Sequence, residues 1–263
     1  MPQYPLIQVD AFADRPFTGN PAAVVPLEEW LADETLQAIA AENNLSETAF
    51  AVPTGGEADY DLRWFTPTTE VALCGHATLA SGHVLLGERA EVRFRTRHAG
   101  VLIVSRDGDG YALDLPETRV APSDEPELLA ALGLPEAQAF ISISGAEATA
   151  IILVEDEAAL RACAPDMRAL GGIELMAIVT APGSAETDVV SRVFVPAWGV
   201  DEDPVTGSAH AALTPFWCER LGRDSFTAFQ ASRRGGRLSC RPQGDRVILG
   251  GRCVTVIEGR LLL

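Results

Sequence analysis

Two stretches of the chain share one pattern of apolar and polar positions. Residues 22–52 and 150–180 align without a gap, at a spacing of 128 residues from residue 22 to residue 150. Each stretch has a short apolar run, an acid-rich start, an amphipathic segment and a second apolar run, which predicts strand, helix and strand. The predicted strands are Ala22–Val25 and Thr48–Val52 in the first copy, and Ile151–Val154 and Met176–Thr180 in the second.

A second pair of motifs follows at the same relative place. Phe65–Pro67 precedes Cys74–Ala77, and Phe194–Pro196 precedes Thr206–Ala209, with three extra residues in the later copy. A helix-like apolar run follows each motif. The common order of both pairs predicts an internal duplication and two related lobes.

The remaining segments predict strands joined by glycine turns. We expect an α+β protein of two antiparallel lobes, each packed around a helix, in preference to a parallel βαβ sheet. The boundary falls in a Pro- and acid-rich stretch, which predicts lobes at residues 1–118 and 119–263, with chain termini that can cross between them. The further predicted strands are Glu91–Arg97, Val101–Arg106, Tyr111–Leu115, Arg237–Cys240, Arg246–Leu249 and Cys253–Glu258.

Composition narrows the functional classes. The chain has 37 acidic and 20 basic residues and a net charge of −17. Such a charge repels nucleic acid and anionic membranes, so neither is an expected partner. No apolar run reaches the roughly 20 residues that cross a bilayer. Residues 1–10 lack a basic segment followed by an apolar core, so we expect a cytoplasmic protein.

Cysteine and histidine spacing gives no sign of a metal centre. Neither a C-x-x-C nor an H-E-x-x-H spacing occurs, which argues against a disulfide framework and a structural zinc site. We expect all cysteines except Cys74 to be buried filler, and His83 and His210 to be core or surface residues. The cysteines are Cys74, Cys163, Cys218, Cys240 and Cys253, and the histidines are His76, His83, His98 and His210.

Both predicted central helices begin with small residues. Gly75 opens one helix, and Gly207 followed by Ser208 opens the other. Uncovered N–H groups and the positive end of the helix dipole form an anion site, so two such starts could hold one small carboxylate in a cleft between the lobes. The alternative is that both are ordinary helices that begin with glycine.

Glu47 lies where a predicted helix gives way to an apolar strand. The aligned residue of the second copy is Leu175, so the lobes differ in acid–base equipment. A carboxylate beside apolar walls can serve as a general base and acid. The alternative is a solvated residue at the end of an element.

Asp203 closes an acidic run before the second helix start. Its carboxylate could hydrogen-bond to His76 across the cleft and fix the tautomer of the ring. The alternative is that the acids cap the helix and compensate its dipole.

Several motifs in fixed order resemble the PhzF (phenazine biosynthesis-like) family. They extend from near the N-terminus to the last predicted strands, so the resemblance covers essentially the whole chain. The matching segments are Asp10–Phe12 with Gly19–Pro21, Asn44–Phe50, Phe65–Pro67 with Glu70–Thr78, Gly199–Ala209, and Ala231–Gly236.

The resemblance implies a diaminopimelate epimerase-like fold, in which each lobe is a β-barrel-like sheet around a central helix. It also implies a homodimer and no cofactor. The family's catalytic glutamate falls on Glu47, its histidine on His76 and its aspartate on Asp203. The matching motifs give, as substrate-binding candidates, Asn20, Ser46, Gly75, Gly207 and Ser208.

One departure bears on mechanism. Diaminopimelate epimerases and proline racemases use a cysteine on each lobe, whereas here Cys74 is matched by Thr206. A two-thiol racemisation is therefore disfavoured, because one face of the substrate carbon would lack an acid–base group.

The sequence thus predicts a cofactor-independent isomerase that moves a proton on a small carboxylic acid with a single glutamate base. Two alternatives stay open: an epimerase or racemase based on Cys74, and a dimeric binding protein without turnover. The sequence leaves undetermined the substrate, the pathway and the choice between a 1,3 and a 1,5 shift.

Overall fold

The computed structural model describes residues 2–145, 147–184 and 186–263. These divide into two compact units: unit 1 holds residues 2–115 and 250–263, and unit 2 holds residues 116–249. The first division lies near the predicted boundary between residues 118 and 119. Residues 250–263, which the prediction placed in the C-terminal lobe, belong to unit 1 because they form a strand that pairs with the first strand of the chain.

Short strands and few helices make up both units. The strands are β1 (Gln3–Ala11), β2 (Asn20–Pro26), β3 (Glu47–Pro53), β4 (Tyr60–Phe65), β5 (Glu70–Val71), β6 (Glu91–Arg95), β7 (Val101–Asp107), β8 (Gly110–Pro116), β9 (Val120–Ser123), β10 (Gln138–Ser142), β11 (Thr149–Leu153), β12 (Met176–Pro182), β13 (Val189–Val195), β14 (Val200–Asp203), β15 (Phe226–Gln230), β16 (Gly236–Gln243), β17 (Arg246–Gly251) and β18 (Cys253–Leu262). The helices are α1 (Asp33–Asn43), α2 (Gly75–Leu85), α3 (Pro126–Leu132), α4 (Glu157–Ala162), α5 (Met167–Leu170) and α6 (Gly207–Leu221), with a 3-10 turn at Pro196–Trp198. The predicted α+β class and the predicted strands are confirmed.

The sheets of the two units follow one plan. In unit 1 the order is β18, β1, β2, β3, β4, β6, β7 and β8, and β5 also pairs with β4. In unit 2 the order is β9, β10, β11, β12, β13, β15 and β16, and β14 also pairs with β13. The matching orders bear out the internal duplication.

The expected antiparallel lobes also contain two parallel pairings in each unit. Strands β2 and β3 are parallel, as are β11 and β12. A helical segment connects each of these pairs and returns the chain to the end from which it started, so the second strand runs in the same direction as the first. Strands β4 and β6, and strands β13 and β15, are also parallel.

The connecting helices differ between the units. Helix α1 is continuous over eleven residues. Its counterpart is broken into the short helices α4 and α5, although the sequence pattern predicts one helix. Pro165 lies in the break, and a proline both lacks an N–H donor and disfavours helical geometry at the residue before it.

Each unit packs its sheet against a largely buried helix. In α2 the first eight residues are buried, from Gly75 to Gly82. A Cβ atom added at Gly82 would lie 2.3 Å from the Val104 side chain, so glycine permits a close approach to β7. Helix α6 is buried along most of its first turns in the same way. The prediction of a central helix in each lobe is confirmed.

Strand registers correct the alignment of the two copies. Thr48 pairs with Phe65 in unit 1, and Ala177 pairs with Phe194 in unit 2. Since the two phenylalanines open matching motifs, the residues before Thr48 and Ala177 are equivalent. The counterpart of Glu47 is therefore Met176 and not Leu175, a shift that an alignment without gaps does not reveal.

An ion pair on a phenylalanine ring recurs in both units. The Arg63 guanidinium donates two 2.8 Å hydrogen bonds to Glu70 and lies 4.9 Å from the centre of the Phe65 ring. Arg192 donates bonds of 2.8 and 3.1 Å to Glu202 and lies 4.9 Å from the centre of the Phe194 ring. Paired donors on one carboxylate fix the geometry of both groups, so the arrangement holds β4 to β5 and β13 to β14.

Among the described residues, no helix has both the length and the apolar character needed to cross a membrane.

Candidate active site

A short turn delivers Glu47 to the start of β3. Helix α1 ends at Asn43, and Asn44 adopts a left-handed conformation with φ of 47°. Asparagine tolerates this conformation better than most residues do. The Asn43 side chain donates a 3.0 Å hydrogen bond to the Thr48 hydroxyl, which pins the turn on both sides. Glu47 therefore has a fixed backbone position beside β2.

Glu47 and His76 meet in unit 1. The Glu47 Oε2 atom lies 3.0 Å from His76 Nε2, and the two side chains are 17% and 5% exposed. The two atoms are close without being aligned for a hydrogen bond. Both are buried and have no hydrogen-bond partner among the described residues. Burying such groups without partners is costly, so Glu47 is not a solvated residue at the end of an element.

The other ring nitrogen of His76 has two neighbours. The amide nitrogen of Asn20, at the start of β2, lies 3.1 Å from Nδ1. The sulfur of Cys74 lies 3.5 Å from the same atom. Where the Asn20 amide donates to Nδ1, the neutral imidazole carries its proton on Nε2, the atom that faces Glu47.

Burial and charge act in opposite directions on this cluster. Burial favours the neutral form of His76, but Cys74 and Glu47 outweigh it and raise the pKa of the ring well above its ordinary value. Burial, followed by the charge of Glu47, raises the pKa of the Cys74 thiol to about 11. Cys74 is therefore a neutral thiol at neutral pH, and the charge that favours the imidazolium is that of Glu47.

The three groups do not converge on one point. A carboxylate oxygen of Glu47, the Cys74 sulfur and a His76 nitrogen lie within 4.8 Å of one another, and all are donor types that bind zinc. However, Cys74 contacts Nδ1 and Glu47 contacts Nε2. A single ion bonds only one ring nitrogen, so this arrangement places the imidazole between the other two groups and does not form a three-ligand site.

Helix α2 begins directly at this cluster. Gly75 is its first residue and His76 its second, and both are buried. Cys74, the residue before the helix, makes no capping hydrogen bond with its side chain, and no acidic residue lies in the first turn. The helix itself thus supplies no acidic side chain to its first N–H groups, which is compatible with an anion site at a helix start.

The corresponding start of α6 in unit 2 has different side chains. Gly207 is buried, and the Ser208 hydroxyl lies 3.9 Å from the Met176 sulfur. Ser208 follows its glycine as His76 follows Gly75, and Met176 is equivalent to Glu47. Unit 2 therefore places a hydroxyl and a thioether where unit 1 has an imidazole and a carboxylate.

A buried glutamine holds the turn between β14 and α6. The Gln230 side chain accepts a 2.9 Å bond from the Thr206 N–H and donates a 2.7 Å bond to the Asp203 carbonyl. The Asp203 carboxylate accepts a short hydrogen bond from the Thr206 hydroxyl. Asp203 is thus bound to the residue before α6, and Gln230, which the sequence analysis missed, fixes this turn.

Two further histidines on the central helices have structural contacts. His210 donates from Nδ1 to the Thr206 carbonyl at 2.8 Å, and burial lowers its pKa to about 4. His83 lies 2.9 Å from the Tyr111 hydroxyl and 2.8 Å from the Thr255 hydroxyl. Their roles as core residues follow the expectation from the sequence.

The structure brings together some of the predicted site residues. Asn20, Glu47 and His76 form one cluster in unit 1, with Gly75 beside His76 and Ser46 beside Glu47 in the chain. Asp203, Gly207 and Ser208 lie together in unit 2. The predicted bond between Asp203 and His76 would join the two units and stays a prediction.

Comparison with solved structures defines the class of fold. A PhzF-family protein from Enterococcus faecalis has a TM-score of 0.90 and 42% identity, with 100% of each chain covered. A hydroxyproline epimerase from Agrobacterium vitis has a TM-score of 0.63 at 15% identity, over 98% of this chain and 91% of the other, which indicates a shared fold only. The fold is that of PhzF-family proteins and related epimerases.

The chain belongs to the PhzC-PhzF family, described as phenazine biosynthesis-like protein, whose family model matches residues 9–259. Two proteins from Pseudomonas aeruginosa, each named an uncharacterized isomerase, are 48% and 49% identical, covering 98% and 97% of both chains. A human phenazine biosynthesis-like domain-containing protein is 39% identical over 98% of each chain. These relatives support an isomerase activity.

Proposed function

We propose that this protein is an isomerase that moves a proton within a small carboxylic acid, with Glu47 as its single base. The observation that carries the proposal is the 3.0 Å approach of Glu47 Oε2 to His76 Nε2, two buried atoms without a hydrogen-bond partner among the described residues. A carboxylate held in this way is suited to accept a proton from a bound substrate.

The proton moves in two steps. Glu47 Oε2 takes a proton from a carbon next to a conjugated system or the carboxylate, and the C–H electron pair enters that system. Glu47 then returns the proton to another carbon, so the atoms balance without a cofactor. A protonated His76 beside Glu47 stabilises the negative charge that develops on the substrate during the transfer.

Backbone N–H groups supply the proposed anion sites. Those at Gly75 and His76 in unit 1, and those at Gly207 and Ser208 in unit 2, lie at the starts of buried helices. Ser46 precedes Glu47 in the chain, and the Asn20 amide lies 3.1 Å from His76 Nδ1. Both are further proposed substrate contacts.

A mechanism with Cys74 as the base has less support. Burial raises the pKa of this thiol to about 11, so the thiolate is scarce at neutral pH. Asp203 is proposed to act through His76. The homodimer stays a proposal from family resemblance, and the cytoplasmic location stays a proposal from the sequence pattern.

Proton NMR in D₂O tests the assignment of the base. Wild-type protein, Glu47→Gln and the control Glu42→Gln are incubated with a panel of small cyclic and acyclic carboxylic acids. Glu42 is exposed on α1 and carries the same charge. We expect exchange of one C–H in one compound, unchanged in Glu42→Gln and lost in Glu47→Gln. Exchange that persists in Glu47→Gln would overturn the assignment and direct attention to Cys74.

A further inference from the structure

The turn between β14 and α6 carries every residue that unit 2 contributes to the proposed site. Asp203 ends β14, and Gly207 and Ser208 open α6. Thr206 is the last residue before the helix and has an extended backbone. The N–H of a residue in this position has no acceptor within the helix, so a partner must come from outside it. Any shift of this turn would move all three proposed contacts together.

One buried side chain is bonded to both ends of this turn. Gln230 lies in β15 and is 0% exposed. Its Oε1 atom accepts a 2.9 Å hydrogen bond from the Thr206 N–H, and its Nε2 atom donates a 2.7 Å bond to the Asp203 carbonyl. Nε2 also donates to the Thr206 hydroxyl at 3.2 Å. Because the acceptor and the donor belong to one planar amide, they fix the separation of Asp203 and Thr206.

The equivalent residue of unit 1 makes no such link. Strand β6 pairs in parallel with β4 as β15 pairs with β13, and the two registers make Thr96 the counterpart of Gln230. In the described part of the chain, the hydrogen bonds of the Thr96 side chain stay within its own turn, to the Gly100 carbonyl and from the Ala99 N–H. A side chain of the sheet thus holds the residue before the helix in unit 2, whereas its counterpart in unit 1 does not.

A second contact at the same turn is shared by the two units. The His210 ring donates from Nδ1 to the Thr206 carbonyl at 2.8 Å. At the equivalent position of α2, the Thr78 hydroxyl donates to the Cys74 carbonyl. Each unit therefore holds this carbonyl by a side chain of its own helix. The link through Gln230 is the part of the arrangement that distinguishes unit 2.

We propose that Gln230 is a positioning residue of the isomerase, which holds the Gly207 and Ser208 N–H groups in place for the substrate carboxylate. This inference rests on the proposed function, because those N–H groups are proposed substrate contacts. Gln230 itself touches no reacting atom and acts through Thr206 and the Asp203 carbonyl. Binding groups that are held in advance lose less freedom when a ligand binds, so loss of Gln230 should weaken substrate binding more than it slows proton transfer.

Replacement of the amide by an apolar side chain tests this role. In Gln230→Met, kcat/KM for the C–H exchange that wild type catalyses should fall about tenfold, which corresponds to the loss of one or two buried hydrogen bonds. Most of the change should be in KM. Gln37→Met is the control, since it removes a 2.9 Å bond from a glutamine amide to the Thr66 carbonyl in unit 1. It should leave kcat and KM within about twofold of wild type.

The pH profile of Gln230→Glu separates positioning from a purely structural role. A protonated glutamate accepts from the Thr206 N–H and donates to the Asp203 carbonyl, as glutamine does, whereas an ionised glutamate cannot donate. Burial raises the pKa of a carboxyl group, so both forms are accessible between acidic and neutral pH. We expect the ratio of variant to wild-type kcat/KM to fall about tenfold as the glutamate ionises.

The possible outcomes distinguish this role from the proposed function. Absence of C–H exchange by wild type would contradict the proposed function and this role with it. Wild-type exchange with unchanged kcat and KM in both variants, shown by circular dichroism to be folded, would overturn the role of Gln230 alone. Should Gln230→Met not fold, Gln230→Glu decides, because its protonated form has the shape of glutamine. A ratio to wild type that does not change with pH would then refute the proposal.

Discussion

The two helix starts occupy equivalent positions and differ in chemistry. In unit 1 the residue after the first glycine is His76, which meets Glu47 at 3.0 Å. In unit 2 it is Ser208, which meets Met176 at 3.9 Å. Neither the serine hydroxyl nor the methionine thioether ionises near neutral pH. The two helix starts therefore share a backbone arrangement, and of the two only that of unit 1 carries an imidazole beside a carboxylate.

The scaffold, in contrast, is retained in both units. Arg63 with Glu70 and Arg192 with Glu202 have nearly the same hydrogen bonds and the same 4.9 Å approach to a phenylalanine ring. The hydrogen bonds from Arg63 hold the pKa of Glu70 below its ordinary value. Groups that hold strands together are thus alike in the two units, whereas Glu47 and His76 have no ionisable counterparts in unit 2.

The largest expected difference between the units is in activity. We expect His76→Asn to slow C–H exchange by roughly 10² to 10⁴-fold, the range of an acid–base contribution. Ser208→Ala should slow it less than about tenfold, since its proposed contact uses the backbone N–H, which alanine keeps. Exchange rates by NMR provide the measurement. Equal losses of exchange rate in the two variants would show that the two helix starts do not differ in function.

The second difference is in stability. Arg63→Met should lower the free energy of unfolding by roughly 1–3 kcal/mol, since it removes the charged hydrogen bonds of a buried guanidinium, although Glu70 keeps its ion pair with Arg97. Arg192→Met should cost less because its side chain is 15% exposed against 4% for Arg63, and solvent screens the pair more. Urea denaturation of both variants gives the two values. A larger loss from Arg192→Met would reverse the proposed ranking.

The third difference is in the response to pH. Burial lowers the pKa of His210 to about 4, whereas the ring titrates near 6.5 in an unfolded chain. Between these values the unfolded state binds more protons, so stability falls with falling pH, by roughly 3 kcal/mol at full effect. His210→Asn should remove this acid sensitivity, as thermal unfolding at pH 7 and pH 4 can show.

His76 acts in the opposite sense. Its pKa in the folded protein is raised, so its contribution to stability is full below about 6.5 and is lost as pH rises through the folded value. A His76→Asn variant should therefore lose more stability at acidic than at alkaline pH. Equal losses at both ends of the pH range would contradict the raised pKa.

The smallest expected effect is at the residues before the helices. Cys74→Ser should change exchange by less than about threefold, since the thiol stays protonated at neutral pH. Thr206→Ser keeps the hydroxyl that bonds to Asp203, so it should also change the exchange rate by less than about threefold. Loss of activity in Cys74→Ser alone would favour the cysteine-based epimerase.

The fold could be predicted from the sequence because its signals are local. Apolar runs such as Ala22–Val25 and Ile151–Val154 indicate strands, and small residues before an apolar run indicate the central helices. The direction of β3 relative to β2 depends on the path of the connecting helix. The break between α4 and α5 could have been read from Pro165.

The site was predictable in part. The sequence singled out Glu47 and His76, and the structure places their side chains 3.0 Å apart. Their contact joins a strand start to a helix start and depends on packing that no spacing reveals. The ion pairs of Arg63 and Arg192 could have been predicted from the sequence, because each arginine lies two residues before the phenylalanine of the repeated motif, Phe65 or Phe194. No sequence pattern indicates the role of Gln230, since it is one glutamine in an ordinary strand.

The position of β18 at the end of the described chain determines which unit is fully synthesised first. The Leu263 N–H donates to the Pro2 carbonyl at 3.1 Å, so the two ends of the described chain lie side by side. Unit 2 is in effect inserted into unit 1, and all of its residues leave the ribosome before β18 does. Domains fold as units during synthesis. All strands of unit 2 are therefore synthesised before unit 1 is complete. Until β18 is synthesised, one edge of β1 has no partner strand.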